Sequence, residues 1–439
     1  MFRPDPLDAL AVADIAADLA TRRRTSVSLV EHSLGRIELL DGSFGAIRSV
    51  VGDCREQARL SDRQRSAGTP RSGLEGIPIV VKDNIDIAGM PTTAGALALE
   101  HSVPMRDATI VVRLRHAGAV MVAKANLTEM ANFVTEGMPS GYSALGGQVL
   151  NPYDTTETPG GSSSGSGVAV ALGMAPLALG TETDGSIVSP CQHQSLVGVK
   201  PTLGLVSRTG ILPIAPSQDT AGPMARTVAD AALLLGAIAG PDPEDAATAD
   251  ALETSARLAS LVLDPEALGG ARIGVVRRFE EGHEQGGQAC YDRALEALAT
   301  TGARLVDVEL PALHKEDELC VLHHEFAPAL DAYLANLGPQ APIRSLAELR
   351  EWNLGHVDEA LKFAQSHVDA SVGIDHVAES APYREARRRD VTTVTAALEE
   401  ALGDHLEAIV FPGITGCSFA ARAGWPAIVL PAGYAASHR

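Results

Sequence analysis

Apolar positions near the N-terminus keep a helical spacing. Val12, Ile15, Ala16 and Leu19 form one amphipathic stripe, and a second runs through Leu29, Leu34 and Ile37. Ser28, followed three residues later by Glu31, predicts a capping box at the start of the second helix. The period then changes. Ile77 to Val81 is a short continuous apolar run, Asp107 to His116 reads as a helix, and Ala119 to Ala123 is another apolar run. Strand, helix, strand predicts a parallel βαβ unit. From Tyr142 to Gly167 no period survives, and Gly, Ser, Asn, Pro and Thr dominate; inside a compact fold such a stretch is usually a functional loop. After it come a small-residue helix at about 167–173, a short strand at about 176–179, a second Gly/Ser/Thr loop, and strand character from Leu196 to Gly210. From Leu252 onward helical patterns alternate with predicted strands at Ala271 to Val276, Arg304 to Leu310 and Ala408 to Phe411, without an internal repeat.

Composition narrows the class. The chain has 439 residues, 45% hydrophobic and 21% charged, enough apolar surface for a large core and unlike a disordered or fibrous protein. Lys plus Arg number 35 against 55 Asp plus Glu, a net charge of −20 that repels nucleic-acid phosphates and anionic membrane surfaces. Nucleic acid is therefore not expected as a direct partner. Asp8, Asp14 and Asp18 break up the N-terminal apolar residues, so neither a signal peptide nor a membrane span is expected there. The longest apolar stretch, Val168 to Leu179, falls well short of the ~20 residues a spanning helix needs. Five scattered cysteines without CxxC spacing predict a reducing, cytoplasmic setting, with neither a disulfide framework nor a structural zinc site.

Three segments place a reactive side chain where regular structure gives way to loop. In GIPIVVKDNI, Lys82 closes an apolar strand. In TPGGSSSGSG, Ser162, Ser163, Ser164 and Ser166 lie among glycines. In GTETDGSIVSP, Ser186 follows Gly185 just after a short strand. Taken singly, each has a plain reading: a solvated edge lysine, a flexible linker, a turn serine. A linker between two core-like strands is not expected, however, and the three occur together. Ser163 also satisfies a GxSxG pattern, but a nucleophile elbow needs a strand directly before it, and NPYDTTETP is turn chemistry. A phosphate loop lacks its GK[ST] ending. The combination permits acyl transfer without histidine. A lysine is a base only when neutral, which burial favours, and a second serine can relay the proton to a serine nucleophile. Flanking glycines let main-chain N–H groups approach an oxyanion.

These segments, followed by LVGVKPTLGLVSRTG and SQDTAGPMARTVADAA, resemble the consecutive core blocks of the amidase signature family of serine hydrolases. The resemblance extends from about residue 8 nearly to the end and is most specific from Gly76 to Asp230. It implies a Ser–cis-Ser–Lys triad with Lys82 as general base, Ser162 as bridging serine in a cis peptide, and Ser186 as nucleophile. It implies an oxyanion hole from the main-chain N–H groups of Thr183, Asp184, Gly185 and Ser186, and no cofactor or metal. The implied fold is α/β, one large domain over 1–439 with a mixed, twisted central sheet wrapped by helices. Its parts would be a helical N-terminal segment at about 7–67, the signature core at about 76–230, and a C-terminal portion at 231–439, shortened at its end.

Three departures stand out. Asp184 replaces a second glycine before the nucleophile, and its carboxylate is harmful to an oxyanion unless it points away. Val188 stands where many members carry arginine, which weakens both a charged substrate pocket and a role as the amidotransferase component working on aminoacyl-tRNA. The chain also stops soon after Trp425 to Pro431. Elsewhere, His323-His324-Glu325 lacks HExxH spacing and reads as helix surface, Cys191 and His193 read as core or pocket-wall packing, and Glu316, Asp317 and Glu318 read as a solvated helix face. The expected activity is hydrolysis of a small-molecule carboxylic amide to acid plus ammonia or amine, and a homodimer is compatible with it. The alternatives are an inactive or truncated member and a glutamine amidotransferase component that supplies ammonia to a partner.

Overall fold

The computed structural model describes residues 6–279, 287–337, 341–403 and 405–434. Its strands are β1 (Ile47–Val50), β2 (Pro78–Lys82), β3 (Val120–Ala125), β4 (Tyr142–Ser143), β5 (Gly147–Gln148), β6 (Leu177–Glu182), β7 (Val197–Lys200), β8 (Thr220–Ala225), β9 (Arg272–Val275), β10 (Arg304–Asp307), β11 (Ala408–Val410) and β12 (Ala427–Val429). Seven of them make a mixed sheet in the order β1-β3-β2-β6-β8-β7-β12. The centre, β3-β2-β6, is parallel, and β1, β8, β7 and β12 join antiparallel to their neighbours. Every residue of β2, β3, β6 and β8 is buried, which is why the first three read as continuous apolar runs rather than as alternation.

Helices cover the sheet. Ser26–Phe44 and Cys54–Ser66 pack near β2 and β3, Ser164–Ala171 lies against β2, β3, β6 and β8, and Val228–Ile238 lies against β6, β7 and β8. The predicted βαβ unit is present as β2, the helix Thr109–Ala117 and β3, with β2 and β3 parallel. The main core runs from Val12 and Ile15 through β2, β3 and β6 to Leu234 and Ile238. A second cluster, around Phe326, Leu330 and Leu334 of the helix Lys315–Asn336, packs on Leu127, Met130 and Phe133.

The structure differs from the pattern in four places. The capping box belongs to Thr25 and Ser28: Thr25 Oγ1 accepts from Ser28 N–H and Ser28 Oγ accepts from Thr25 N–H, so Ser28 is the third helical residue and not the cap. The small-residue helix begins at Ser164, inside the Gly/Ser run, because Ser164 Oγ and Ser166 Oγ donate to the carbonyls of Gly160 and Leu179 and settle locally. Strand structure in 196–210 is limited to Val197–Lys200. The strands β9, β10 and β11 make their own parallel sheet, ordered β10-β9-β11, instead of extending the central one.

Gly165 shows why the serine run needs glycine. A Cβ there would run into the main-chain oxygens of Ala46 and Asn126. Neither can retreat, since Gly165 N–H already donates to the Asn126 carbonyl at 3.1 Å. Gly165→Ala is expected to destabilise the fold by about 3 kcal/mol or more, read as a lowered urea midpoint at unchanged slope.

Candidate active site

Lys82 is the last residue of β2, the strand between the parallel β3 and β6, and its side chain is fully buried. Nζ is 2.8 Å from Ser162 Oγ, 2.9 Å from Thr181 Oγ1 and 3.2 Å from the Thr181 carbonyl oxygen. Burial lowers its pKa to about 7, against the opposing pull of the Glu182 and Asp219 carboxylates. A neutral amine can donate both protons to Thr181 and turn its lone pair toward Ser162. Asn84 Nδ2 donates to Thr181 Oγ1 at 3.0 Å and fixes that partner in turn.

Ser162 is fully buried, and the Gly161–Ser162 peptide bond is cis. The Ser162 carbonyl accepts from Thr128 N–H at 3.0 Å. Just beyond, Met130, Ala131 and Asn132 run left-handed with φ of 47°, 54° and 74°. Ser163 is no elbow. Turns precede it, and its buried Oγ donates to the Thr181 carbonyl at 3.1 Å and accepts from Thr181 N–H at 3.2 Å. Ser163 N–H donates to the Ser186 carbonyl at 3.1 Å, which pins the second loop to the first.

Ser186 sits in the turn between β6 and the helix Val188–His193, 7% exposed, after Gly185 at φ 77°. No hydrogen bond links its Oγ to Ser162 Oγ; catalytic contacts in unliganded sites often close only with substrate. Glu182 Oε2 accepts from the N–H groups of Ile187 at 2.6 Å and Val188 at 3.0 Å. The four preceding N–H groups, of Thr183, Asp184, Gly185 and Ser186, have no protein acceptor among the described residues. That leaves a run of donors beside Ser186.

The side chains below this turn hold it from the other side. Thr183 Oγ1 donates to Asp219 Oδ1 at 2.6 Å, and Asp219 Oδ2 accepts from Ile214 and Ala215 N–H. Burial raises Asp219 to about 6. Ser418 Oγ donates to Asp184 Oδ2 at 2.5 Å, which draws that carboxyl toward the C-terminal helices. A cavity of about 970 Å³ reaches the turn at Thr183, with Asn84, Thr181, Glu182, Asp219 and Tyr333 also in its walls; Lys82, Ser162 and Ser186 are not among its lining residues.

The remaining sequence candidates divide. Cys191 is buried with its thiol pushed up by desolvation, as packing predicts, and His193 Nδ1 lies 2.8 Å from the Ser189 carbonyl oxygen. Val188 is buried at the start of its helix. His323 is not surface: half-buried, it lies 2.9 Å from His367 Nδ1 and packs on Phe133, because its helix turns that face to the second core. The solvated reading of the 316–318 run fails at Glu318, which is buried and bonded to Arg422 at 2.8 Å. Thr181, Asn84 and Asp219 were missed as site residues although all three lie inside or beside the motif blocks. Glu318 and Arg422 carry no local signal at all.

The Amidase family profile matches residues 28–437, and the chain belongs to the amidase signature family. It is an amide-hydrolysing enzyme. It is 36% identical to a probable amidase of Arabidopsis thaliana over 96% of this chain and 83% of that one. The native peptide amidase of Stenotrophomonas maltophilia superposes with a TM-score of 0.89 at 40% identity, covering 98% of this chain and 91% of that one. The A-type component of the glutamyl-tRNA(Gln) amidotransferase of Anaeromyxobacter dehalogenans is 42% identical, over 69% of this chain and 60% of its own length.

Proposed function

We propose that the enzyme cleaves its amide through an acyl-enzyme on Ser186, with Lys82 as general base and Ser162 as the bridge between them. The reading is carried by one observation: a fully buried lysine amine, held near neutrality, within hydrogen-bond reach of a buried serine hydroxyl. Neutral Lys82 takes the Ser162 proton, Ser162 takes that of Ser186, and Ser186 Oγ attacks the carbonyl carbon. The unpartnered N–H groups of 183–186 then face the developing oxyanion. Return of the proton through Ser162 to the leaving nitrogen expels ammonia or amine, and water repeats the sequence to free the acid.

The substrate class we favour is a peptide or similar acyl group ending in a primary amide. Its support is the likeness to the Stenotrophomonas peptide amidase over nearly the whole chain. The amidotransferase reading rests on the 42% match over 306 residues, against which stands Val188 in place of a cation beside the nucleophile. Thiols at Cys54, Cys191, Cys290 and Cys320 suit a cytoplasmic enzyme, and a homodimer is compatible with the site.

The discriminating assay measures ammonia from a C-terminally amidated peptide and from glutamine, with and without co-purified partners. Release from the peptide amide by the isolated chain is expected. Glutamine turnover that needs a partner would establish the amidotransferase role instead, and a cooperatively melting protein inert toward both would be an inactive member.

A further inference from the structure

The turn that carries the run of N–H donors is tethered through the side chain of its first residue. Strands β6 and β8 pair antiparallel with Glu182 opposite Thr220, so the next step of that ladder brings Asp219 beside Thr183. Thr183 Oγ1 donates to Asp219 Oδ1 at 2.6 Å, and the threonine is buried. A hydroxyl bonded to a carboxylate at that length makes a strong, charge-assisted contact. The Thr183 carbonyl accepts from Gln218 Nε2 at 3.4 Å, a longer bond.

Asp219 is itself held by main chain. Its Oδ2 accepts from Ile214 N–H at 2.9 Å and Ala215 N–H at 3.0 Å, and the Ala215 carbonyl accepts in return from Asp219 N–H at 2.9 Å. The same segment reaches the base. Leu212 N–H donates to the Asn84 carbonyl at 2.8 Å, and Asn84 Nδ2 donates to the Leu212 carbonyl at 3.3 Å and to Thr181 Oγ1 at 3.0 Å. Thr181 Oγ1 is in turn a partner of Lys82 Nζ. One stretch of chain, 212–219, therefore grips both the end of the site that moves the proton and the end that receives the oxyanion.

We propose that Asp219 is a positioning residue for the reaction: acting through the Thr183 hydroxyl, it aims the N–H groups of 183–186 at the developing oxyanion. This rests on the reading above that those groups receive the oxyanion. A tether at the first residue fixes the direction in which the turn leaves β6, and with it the direction of the donors that follow. The carboxylate's own charge does not oppose the oxyanion, because three donors share it and the Arg208 charge lies near enough to favour it. Donors aimed at an oxyanion bind the transition state more tightly than the substrate, so a misaimed turn lowers kcat and spares KM.

The test compares kcat, KM and the rate of fluorophosphonate labelling of Ser186 in the full chain, with a melting curve for each variant. It is run at pH 9, where Asp219, at about 6, is ionised and Lys82, at about 7, is neutral. Thr183→Val keeps the shape of the side chain and breaks the one bond. Its kcat should fall between about tenfold and a hundredfold with KM little changed, and labelling should slow in step. Thr183→Ser restores the hydroxyl and should recover most of that loss. Asp219→Asn keeps an oxygen for Ile214 and Ala215 but gives up the charged acceptor, so its kcat should fall too. The double variant should be no slower than Thr183→Val alone, since Asp219 acts through Thr183. A merely structural tether would lower the melting temperature and leave the rates of the folded protein alone. A folded Thr183→Val with wild-type kcat overturns the proposal, as does a double variant whose loss is the product of the two single losses. Should Thr183→Val fail to melt cooperatively, Asp219→Asn decides: lowered kcat at unchanged KM sustains the proposal, and wild-type kcat overturns it. If the wild type turns over but leaves Ser186 unlabelled, the nucleophile assignment fails and this inference with it. Labelled Ser186 with an indifferent Thr183→Val sinks this inference alone.

Discussion

Ser186→Ala is expected to lower kcat for amide hydrolysis on the order of 10⁴-fold or more, with the fold intact. No other serine of the two loops can stand in. Ser162 is fully buried and occupied with Lys82, and Ser163 has both its donor and acceptor functions committed to the Thr181 main chain. Ser164 and Ser166 donate to the carbonyls of Gly160 and Leu179. The turn itself should persist in the variant, because what holds it are main-chain and carboxylate contacts: Ser163 N–H on the Ser186 carbonyl, Glu182 on the N–H groups of Ile187 and Val188, and Asp219 on Thr183. Removing the hydroxyl breaks none of these, so stability should stay within about 0.5 kcal/mol. The measurement is single-turnover ammonia release, paired with intact-mass analysis after fluorophosphonate treatment. One adduct on the wild type and none on the variant is the expected result; an undiminished rate in a folded variant would remove Ser186 from the mechanism.

How much of this was written locally can be judged residue by residue. The apolar runs of β2, β3 and β6 were legible because a parallel strand buried on both faces has no polar alternation to confuse it. Lys82 announced itself as a charge closing such a run, and Ser186 as a serine after a glycine whose φ of 77° disfavours other residues. The central strand β8 was hidden, since Gly222 and Pro223 argue against a strand. Its tolerance is tertiary. Pairing with β7 reaches only Ala225 and Met224, so the N–H that Pro223 lacks falls beyond that ladder, and a Cβ on Gly222 would collide with the Val199 carbonyl. The site shows the same divide. Lys82, Ser162 and Ser186 sit in dense local blocks, whereas Glu318 meets Gln218 and Arg422, and Asp184 meets Ser418, each across a hundred residues or more. In sequence Glu318 is one of three acidic residues in a helical first turn, and only packing sets it apart from Asp317, which is bonded to Arg389 at the surface.

Lys82→Met should abolish turnover on the order of 10³–10⁴-fold and make the protein progressively more stable than the wild type as pH is lowered. The loss of activity follows from removing the only base in contact with Ser162 among the described residues. The stability effect follows from linkage. In the unfolded chain a lysine titrates at about 10.4, whereas in the fold burial holds Lys82 at about 7. Between these values the unfolded state binds a proton that the folded state does not, so wild-type stability falls as pH falls through that window, by up to about 1.4 kcal/mol per pH unit. Below about 7 the folded lysine is charged as well, and the penalty levels off on the order of a few kcal/mol. Methionine, of similar length and apolar, carries no such penalty at any pH. It does forfeit the contacts with Ser162 and Thr181, about 1 kcal/mol each, but that loss does not vary with pH. Urea denaturation at pH 6, 8 and 10 therefore reads the slope and not the offset. The stability difference between variant and wild type should widen from pH 10 to pH 8 and change little below pH 7. Parallel stability curves would mean that Lys82 stays protonated throughout, and a protonated lysine cannot take the proton of Ser162.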